Sequence, residues 1–239
     1  MAFGLISKAP ISQRDGKVAN LEIIQTADGS HSLYNADLNE TYHSRHGARQ
    51  ESEHVFIKQG FLHLVEKNLQ PMLVLEVGFG TGLNAWLTWQ KADLLHQEVC
   101  YRTLETMPLP AAVWQKLNYA SGPDEALMFA AIHEAPWDEP ASLSKNFVIH
   151  KMRQPLQSAS VPPASVNLVY FDAFAPDKQP DMWTLEIFAK VFGWLKPGGV
   201  VVTYCAKGQV KRDLRAAGFV VETLPGPPGK REMVRGRRL

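Results

Sequence analysis

The chain has 239 residues, 45% of them hydrophobic and 21% charged, with a formal net charge of +1. These values exclude a globally disordered chain, and no apolar run approaches the ~18 residues that would mark a membrane-spanning helix. The length suits one domain with an elaboration, and Met1–Pro10 shows no basic segment leading into an apolar stretch, so a cytoplasmic protein without a leader is expected.

Taken in chain order, Val18–Thr26 and His31–Asn35 flank the turn residues Ala27-Asp28-Gly29-Ser30 and predict a hairpin. Ser52–Lys67 has helical apolar spacing, with Gly60 as a weak point. Residues 1–70 thus read as a cap ahead of a core at 71–239. In the core, strands are predicted at Met72–Val77, Val99–Leu104, Asn146–His150, Val166–Phe171, Val200–Tyr204, Phe219–Leu224 and Glu232–Gly236. Helices are predicted at Leu83–His96, Leu109–Leu117, Asp181–Leu195 and Gln209–Ala217, with Asp181 as an N-cap. The alternation predicts an α/β fold with a mostly parallel sheet. Only Pro225–Lys230 separates the last two strands, too short for a helical crossover, so they should pair antiparallel.

The loop after the first core strand reads Glu76-Val77-Gly78-Phe79-Gly80-Thr81-Gly82 and opens onto a helix. Alternate glycines allow a tight turn and close backbone approach, and a helix N-terminus attracts an anionic group. In the dinucleotide fingerprint the third glycine falls one residue later. The E-x-G-x-G-x-G form instead predicts a methyltransferase binding S-adenosyl-L-methionine, with Glu76 near the ligand's ammonium. Gly78, Phe79, Gly80, Thr81, Gly82 and Asn84 form the loop and helix start. Glu105 ends the next strand, 23 residues after Gly82, where an acid would hold ribose hydroxyls.

A second acid follows the fourth core strand, in Phe171-Asp172-Ala173-Phe174-Ala175-Pro176. Ligands of open α/β sheets sit outside the carboxyl ends of the strands, which puts Asp172 beside the reacting centre. A carboxylate there can take a proton from an attacking amine. Phe174 and Trp183 offer aromatic faces to a base, and Lys178 a charge to a phosphate.

These stretches, with Gly82-Leu83-Asn84, Pro180-Asp181-Met182-Trp183, Lys196-Pro197-Gly198-Gly199, Lys207–Arg212 and Lys230–Met233, resemble the methyltransferase component of the MnmC family, also found stand-alone as MnmD. The resemblance implies a Rossmann-like class I methyltransferase fold. It also implies N-methylation of an aminomethyl-modified wobble uridine in the tRNA anticodon loop. Asp172 would attend the amine and contribute to the cofactor site, and the region from Asn35 to Phe56 would help close the site, with Glu51 and Ser52 as weaker candidates. Two departures stand out. His150-Lys151-Met152 occupies the place where relatives carry an acid for the adenine. No second glycine fingerprint for an oxidase half is present, so separate enzymes are expected to supply the aminomethyl-uridine.

The segment from Lys196 to Leu239 holds ten Lys or Arg against three Asp or Glu, so it carries +7 and the remainder −6. It could form a face for tRNA phosphates, with Lys207, Lys211, Arg212, Lys230 and Arg231 as candidates. Cys100 and Cys205 read as reduced buried thiols, and His43, His46 and His54 as a polar loop, so no metal is expected. Three alternatives stay open: an adenosylmethionine-dependent transferase acting on a small amine or another RNA position, a non-catalytic RNA-binding module, and a nicotinamide oxidoreductase.

Overall fold

A computed structural model of the chain describes residues 20–67 and 69–239 in full, and the backbone of three short strands before them, β1 (Leu5–Lys8), β2 (Gln13–Arg14) and β3 (Lys17–Val18). Much of Met1–Pro10, and Ala19 within the first expected strand, lie outside these residues. The expected hairpin is β4 (Leu21–Gln25) and β5 (His31–Asn35), joined through a turn in which Gly29 has φ +84°. Asp28 shapes the turn by accepting from the Ser30 N–H, and its other oxygen accepts from Gln50 N–H in the following helix. A short β6 (Glu40–Thr41) pairs with β5.

The core sheet begins with β7 (Met72–Val77), β8 (Val99–Leu104), β9 (Pro140–Ser142) and β10 (Phe147–Met152). It continues with β11 (Val166–Phe171), β12 (Leu195–Thr203), β13 (Val220–Pro225) and β14 (Glu232–Arg237). The spatial order is β13-β14-β12-β11-β7-β8-β10-β9. Strands β10, β8, β7, β11 and β12 are parallel, while β14 runs antiparallel to both β12 and β13, as expected for the last two strands. The chain moves outward from β7 to β10, then crosses back to β11 on the other side. That reversal opens a crevice at the carboxyl ends of β7 and β11.

A continuous helical segment covers one face of the sheet. It comprises α1 (Ala48–Ser52), a π-helical stretch Glu53–Leu62 and α2 (His63–Val65). It shares an apolar core with α3 (Leu83–Leu95), including Val55, Phe56, Phe61, Leu64, Trp86, Tyr101 and Tyr170. Gly60 is the close-packing point rather than a weak one: a Cβ there would lie 3.0 Å from Val202 and 3.1 Å from Tyr170. The opposite face packs on α6 (Leu185–Trp194) and α7 (Gly208–Ala216) through Phe188, Val191, Val210 and Leu214.

In the core, α5 (Pro123–Glu134) and β9 were not expected, nor were the short strands β1, β2, β3 and β6 ahead of it. The start signals of α5 were nonetheless present, a proline in the first turn followed by Asp124 and Glu125. The predicted Leu109–Leu117 helix shrinks to α4 (Ala111–Trp114). Asp181 is not the cap of α6: it lies in a 3₁₀ turn, and Thr184 caps the helix by accepting from the Ile187 N–H. Cys205 is buried and Cys100 half-buried, both as free thiols.

Candidate active site

The crevice is a cavity of about 690 Å³, lined by the glycine loop, the ends of β8 and β11, and the cap residues around Tyr42. The volume lies within the range of ligand sites, roughly 300–1,000 Å³. The loop wraps closely: Gly78, Gly80 and Gly82 all have positive φ, at +89°, +49° and +75°. A Cβ on Gly78 would stand 2.9 Å from the Asp172 carbonyl oxygen, and one on Gly80 3.2 Å from the Tyr42 ring. Only glycine meets both demands at these positions, a left-handed backbone and no side chain. Phe79, Thr81 and Asn84 complete this wall, with Asn84 in the first turn of α3. Gly82 is not on the wall but packs beneath it against His133.

Glu105 stands at the end of β8 as the sequence suggests, and its carboxylate organises three backbone amides. It accepts from Gly80 N–H at 3.0 Å on one oxygen, and from Thr106 and Met107 N–H at 2.7 Å on the other. Carboxylate oxygens each offer two lone-pair directions, so the oxygen that meets Gly80 keeps one for a ribose hydroxyl. Lys151, from the stretch standing in for the adenine acid, is fully buried and turned away from the cavity. It donates to His133 O at 2.7 Å and lies over the Trp137 ring at 4.7 Å. Burial and the nearby Arg153 pull its ammonium down to about 8. Gln154, Leu156 and Gln157 line the cavity just beyond.

Asp172 begins where β11 ends. Its N–H donates to Val77 O, which ties the two strand ends together at the crevice. Its Oδ2 accepts from Asn84 Nδ2 at 2.8 Å. Desolvation, and then repulsion from Glu51, lift its carboxyl to about 7, against opposing contributions from the Asn84 bond and Lys230. An acid poised there exchanges protons at neutral pH.

The cap supplies the opposing wall. Tyr42 packs edge-on against Phe174, ring centroids 5.0 Å apart. His43 bridges the cap hairpin and the glycine loop, with Nδ1 3.0 Å from Ser32 Oγ and Nε2 3.4 Å from Thr81 Oγ1. Burial holds it neutral, at about 4. Glu51 accepts from Ser44 N–H at 2.7 Å and pairs with Lys230 at 2.5 Å; its side chain is 7% exposed. The Lys230 ammonium also sits 3.9 Å from the Tyr204 ring centroid, a cation–π contact. Tyr42 and His43 fall in the Asn35–Phe56 stretch expected to help close the site but were not singled out for it, and Tyr204 is a cavity residue that sequence reasoning missed. Ser52 is buried behind the wall. Among the described residues no cluster of His, Cys, Asp or Glu is placed to hold a metal. His46 packs on Gly229 and His54 Nε2 meets Pro225 O, so the three cap histidines point to three different places.

The structure brings Asp172, Phe174, Lys178 and Lys230 together on the cavity and leaves several expected residues outside it. Trp183 is 5% exposed; it presents no face to a base but packs among Phe171, Phe188 and Tyr204. Its indole N–H donates to Phe174 O at 2.7 Å and so props the aromatic wall. Lys207 pairs with Asp177 and Lys211 with Glu232, both outside the cavity. Arg212 bonds Gln209 on the surface of α7, and Arg231 is 91% exposed with Glu232 at 3.4 Å. Arg235 and Arg237 both pair with Glu222. Two acids from outside the segment, Asp177 and Glu51, offset two of its seven excess charges, while Glu222 and Glu232 belong to the segment itself. Glu76 is 0% exposed and stands behind the wall, not on it.

Residues 129–238 match a family described as S-adenosyl-L-methionine-dependent methyltransferase. The fold agrees: the structure superposes on MnmC2 from Aquifex aeolicus with a TM-score of 0.74 at 23% identity, covering 94% of this chain and 72% of that one. The family match thus takes in the C-terminal part of the chain, and the likeness to MnmC2 is one of fold. It is also similar in fold to spermidine synthase from Thermotoga maritima, with a TM-score of 0.55 at 14% identity, over 97% of this chain and 71% of that one. In sequence, the chain is 31% identical over 222 residues to the tRNA 5-methylaminomethyl-2-thiouridine biosynthesis bifunctional protein MnmC of Chromohalobacter salexigens. The match covers 87% of this chain and 32% of that protein. The MnmC protein of Pseudomonas fluorescens is likewise 31% identical over 217 residues, 84% of this chain and 32% of its own length. The chain spans about a third of the length of these curated relatives.

Proposed function

We propose that this protein transfers the methyl group of S-adenosyl-L-methionine to the aminomethyl nitrogen of 5-aminomethyl-(2-thio)uridine at the tRNA wobble position, giving 5-methylaminomethyl-(2-thio)uridine. The observation that carries the reading is the Asp172 carboxyl, poised near neutral on the cavity wall beside the glycine loop. The pathway named for the similar MnmC proteins supports the choice of substrate. The glycine cradle, the start of α3 and Glu105 fit the cofactor: a loop that a Cβ would block, a helix N-terminus for its carboxylate, and an acid for its ribose. Bound there, adenosylmethionine supplies an electrophilic methyl on sulfur. In the transfer, the N–CH₃ bond would form as the S–CH₃ bond broke, with S-adenosylhomocysteine as the leaving group.

An amine attacks only as its neutral form, so the chain's task is to remove a proton and aim the lone pair. Asp172 accepts that proton, and Asn84 holds the carboxylate in place. Tyr42 and Phe174 offer apolar surface to a base splayed out of the anticodon loop, where unstacking costs little. Lys178 and Lys230, with Arg212, Arg231, Lys207 and Lys211 further out, stand as phosphate contacts. Such an enzyme works in the cytoplasm, on tRNA that other enzymes have already given an aminomethyl group.

The test is methyl transfer from labelled adenosylmethionine to tRNA carrying or lacking the aminomethyl-uridine, followed by nucleoside analysis. The expected result is label on the aminomethyl nitrogen of the first tRNA alone. Cofactor binding with no label on either tRNA would overturn the substrate assignment.

A further inference from the structure

Glu76 belongs to the glycine motif by sequence, yet its side chain does not reach the cavity. Side chains alternate along a strand, so Glu76 shares a face of β7 with Val74 and Met72. Its register neighbours are Thr103 on β8 and Tyr170 on β11. That face is the one covered by α3 and the 48–65 helical segment, where Val74, Tyr101 and Tyr170 form part of an aromatic core. The carboxyl is therefore enclosed at 0% exposure, with Thr103, Asn84 and Tyr101 around it. The titratable groups facing it are Asp172, Tyr101 and Tyr170, all of them acids. Among the described residues, no lysine, arginine or histidine forms an ion pair with it.

A second observation comes from Asn84. Its Nδ2 donates to Asp172, while its Oδ1 is buried with no donor of good geometry. Both Glu76 oxygens, Tyr101 OH and Thr103 Oγ1 are in the same condition. Were Glu76 ionised, its two oxygens and Asn84 Oδ1 would be three adjacent acceptors sharing the hydroxyls of Tyr101 and Thr103. The amide would then turn its N–H₂ toward Glu76 and its oxygen toward Asp172, removing the bond that holds Asp172. A buried carboxyl without a cation avoids the cost of its charge by keeping its proton.

We propose that Glu76 is a neutral acid that positions Asn84, and through it Asp172, and is not a ligand of the cofactor's ammonium. Its O–H donates to Asn84 Oδ1, which fixes the amide with its N–H₂ toward Asp172. The acidic residue of the glycine motif thus serves the amine end of the site from behind. No bond is made or broken in this role; the proton stays on Glu76 through the reaction. Desolvation places the carboxyl well above its ordinary range, in keeping with the geometry.

The proposal rests on the reading of Asp172 above, but two arms of its test do not need the reaction. Infrared spectra at about pH 9, where Asp172 is ionised, should show the C=O stretch of a protonated carboxylic acid in the wild type and in Asp172→Asn, and lose it in Glu76→Gln. Calorimetry should find the adenosylmethionine affinity of Glu76→Gln within about threefold of wild type, since a neutral side chain replaces a neutral one. With substrate tRNA, Glu76→Leu should lower kcat by about ten- to a hundredfold and Gln should restore most of it, because only Gln can donate to Asn84 Oδ1. If the acid band is absent from the wild type at that pH, or if Glu76→Gln weakens cofactor binding by about a hundredfold with kcat intact, Glu76 is an ionised cofactor ligand and the proposal fails. Failure of the tRNA assay alone would instead count against the substrate assignment. Should the Leu variant not fold, the spectrum and the Gln affinity still decide.

Discussion

The glycine wall and the cap wall face each other across one cavity but are tied together over different distances in the chain. The glycine wall is local, strand, turn and helix within Met72–Leu95, closed by Glu105 from the next strand. The cap wall rests on contacts between residues far apart, above all Lys230 with Glu51, 179 positions earlier. Local walls take their shape from backbone stereochemistry, so they survive with few partners. A wall built on distant pairs keeps its shape only while the whole fold holds it, and two of its charges, Glu51 and Lys230, act on the Asp172 carboxyl.

The sharpest way to break the comparison is at Asp172, where the walls meet. Asp172→Asn should cut kcat by about 10²–10⁴-fold while cofactor binding survives. In the wild type kcat should rise with pH through about 7 as the carboxyl ionises, and the variant should lose that limb. The same substitution should raise the melting temperature above neutral pH. The folded carboxyl holds its proton to a higher pH than the unfolded one, so its contribution to stability is full at low pH. That contribution is lost as pH rises from the ordinary carboxylate range through about 7. A melting temperature unchanged or lowered at pH 8 would contradict the buried, charge-poor environment described for it.

Next comes the local wall. Gly78→Ala meets both a positive φ and a backbone oxygen 2.9 Å away. It should weaken adenosylmethionine binding at least about tenfold, read by calorimetry, with a smaller change in tRNA affinity. The cap wall should respond differently. Lys230→Ala should move the acid limb of the pH profile upward and Glu51→Gln downward, because the lysine favours the Asp172 carboxylate and Glu51 opposes it. Each should leave the cofactor affinity within about threefold. Shifts of the same sign would show that the two act through the fold and not through charge. The smallest effect is expected at Arg212→Ala, an exposed side chain that hydrogen-bonds Gln209. It should lower the salt dependence of tRNA binding by at most about one unit of slope.

The local wall was legible in the sequence because glycine spacing and strand-end acids state a backbone geometry directly. The loop, Glu105 at its strand end and Asp172 beside it all follow from order along the chain. The distant wall was not. Tyr42 and His43 lie in a polar stretch whose partners, Phe174 and Thr81, are known only once the hairpin is folded over the loop. Trp183 reads as a free aromatic because nothing nearby in sequence announces that Phe171 and Phe188 enclose it. The partners of Lys207 and Lys230 were hidden as well, because Asp177 and Glu51 lie on distant parts of the chain. Glu76 was open to a better reading: alternation from Met72 already set it on the same face as Val74, away from the loop's ligand side.

Gly60 bears on how such a protein can be inherited or redesigned. Motif boundaries invite a cut at residue 71, just ahead of the strand that leads into the glycine loop. Yet the helical segment carrying Gly60 lies against the sheet closely enough that one methyl group would have to displace Val202 or Tyr170. Val55, Phe56, Phe61 and Leu64 on the same segment fill the core beneath it. A fragment starting at residue 71 would bare that surface to water and aggregate rather than fold. The smallest transplantable unit therefore begins upstream of Ala48, and recombination between relatives would have to carry the segment along with the sheet it covers.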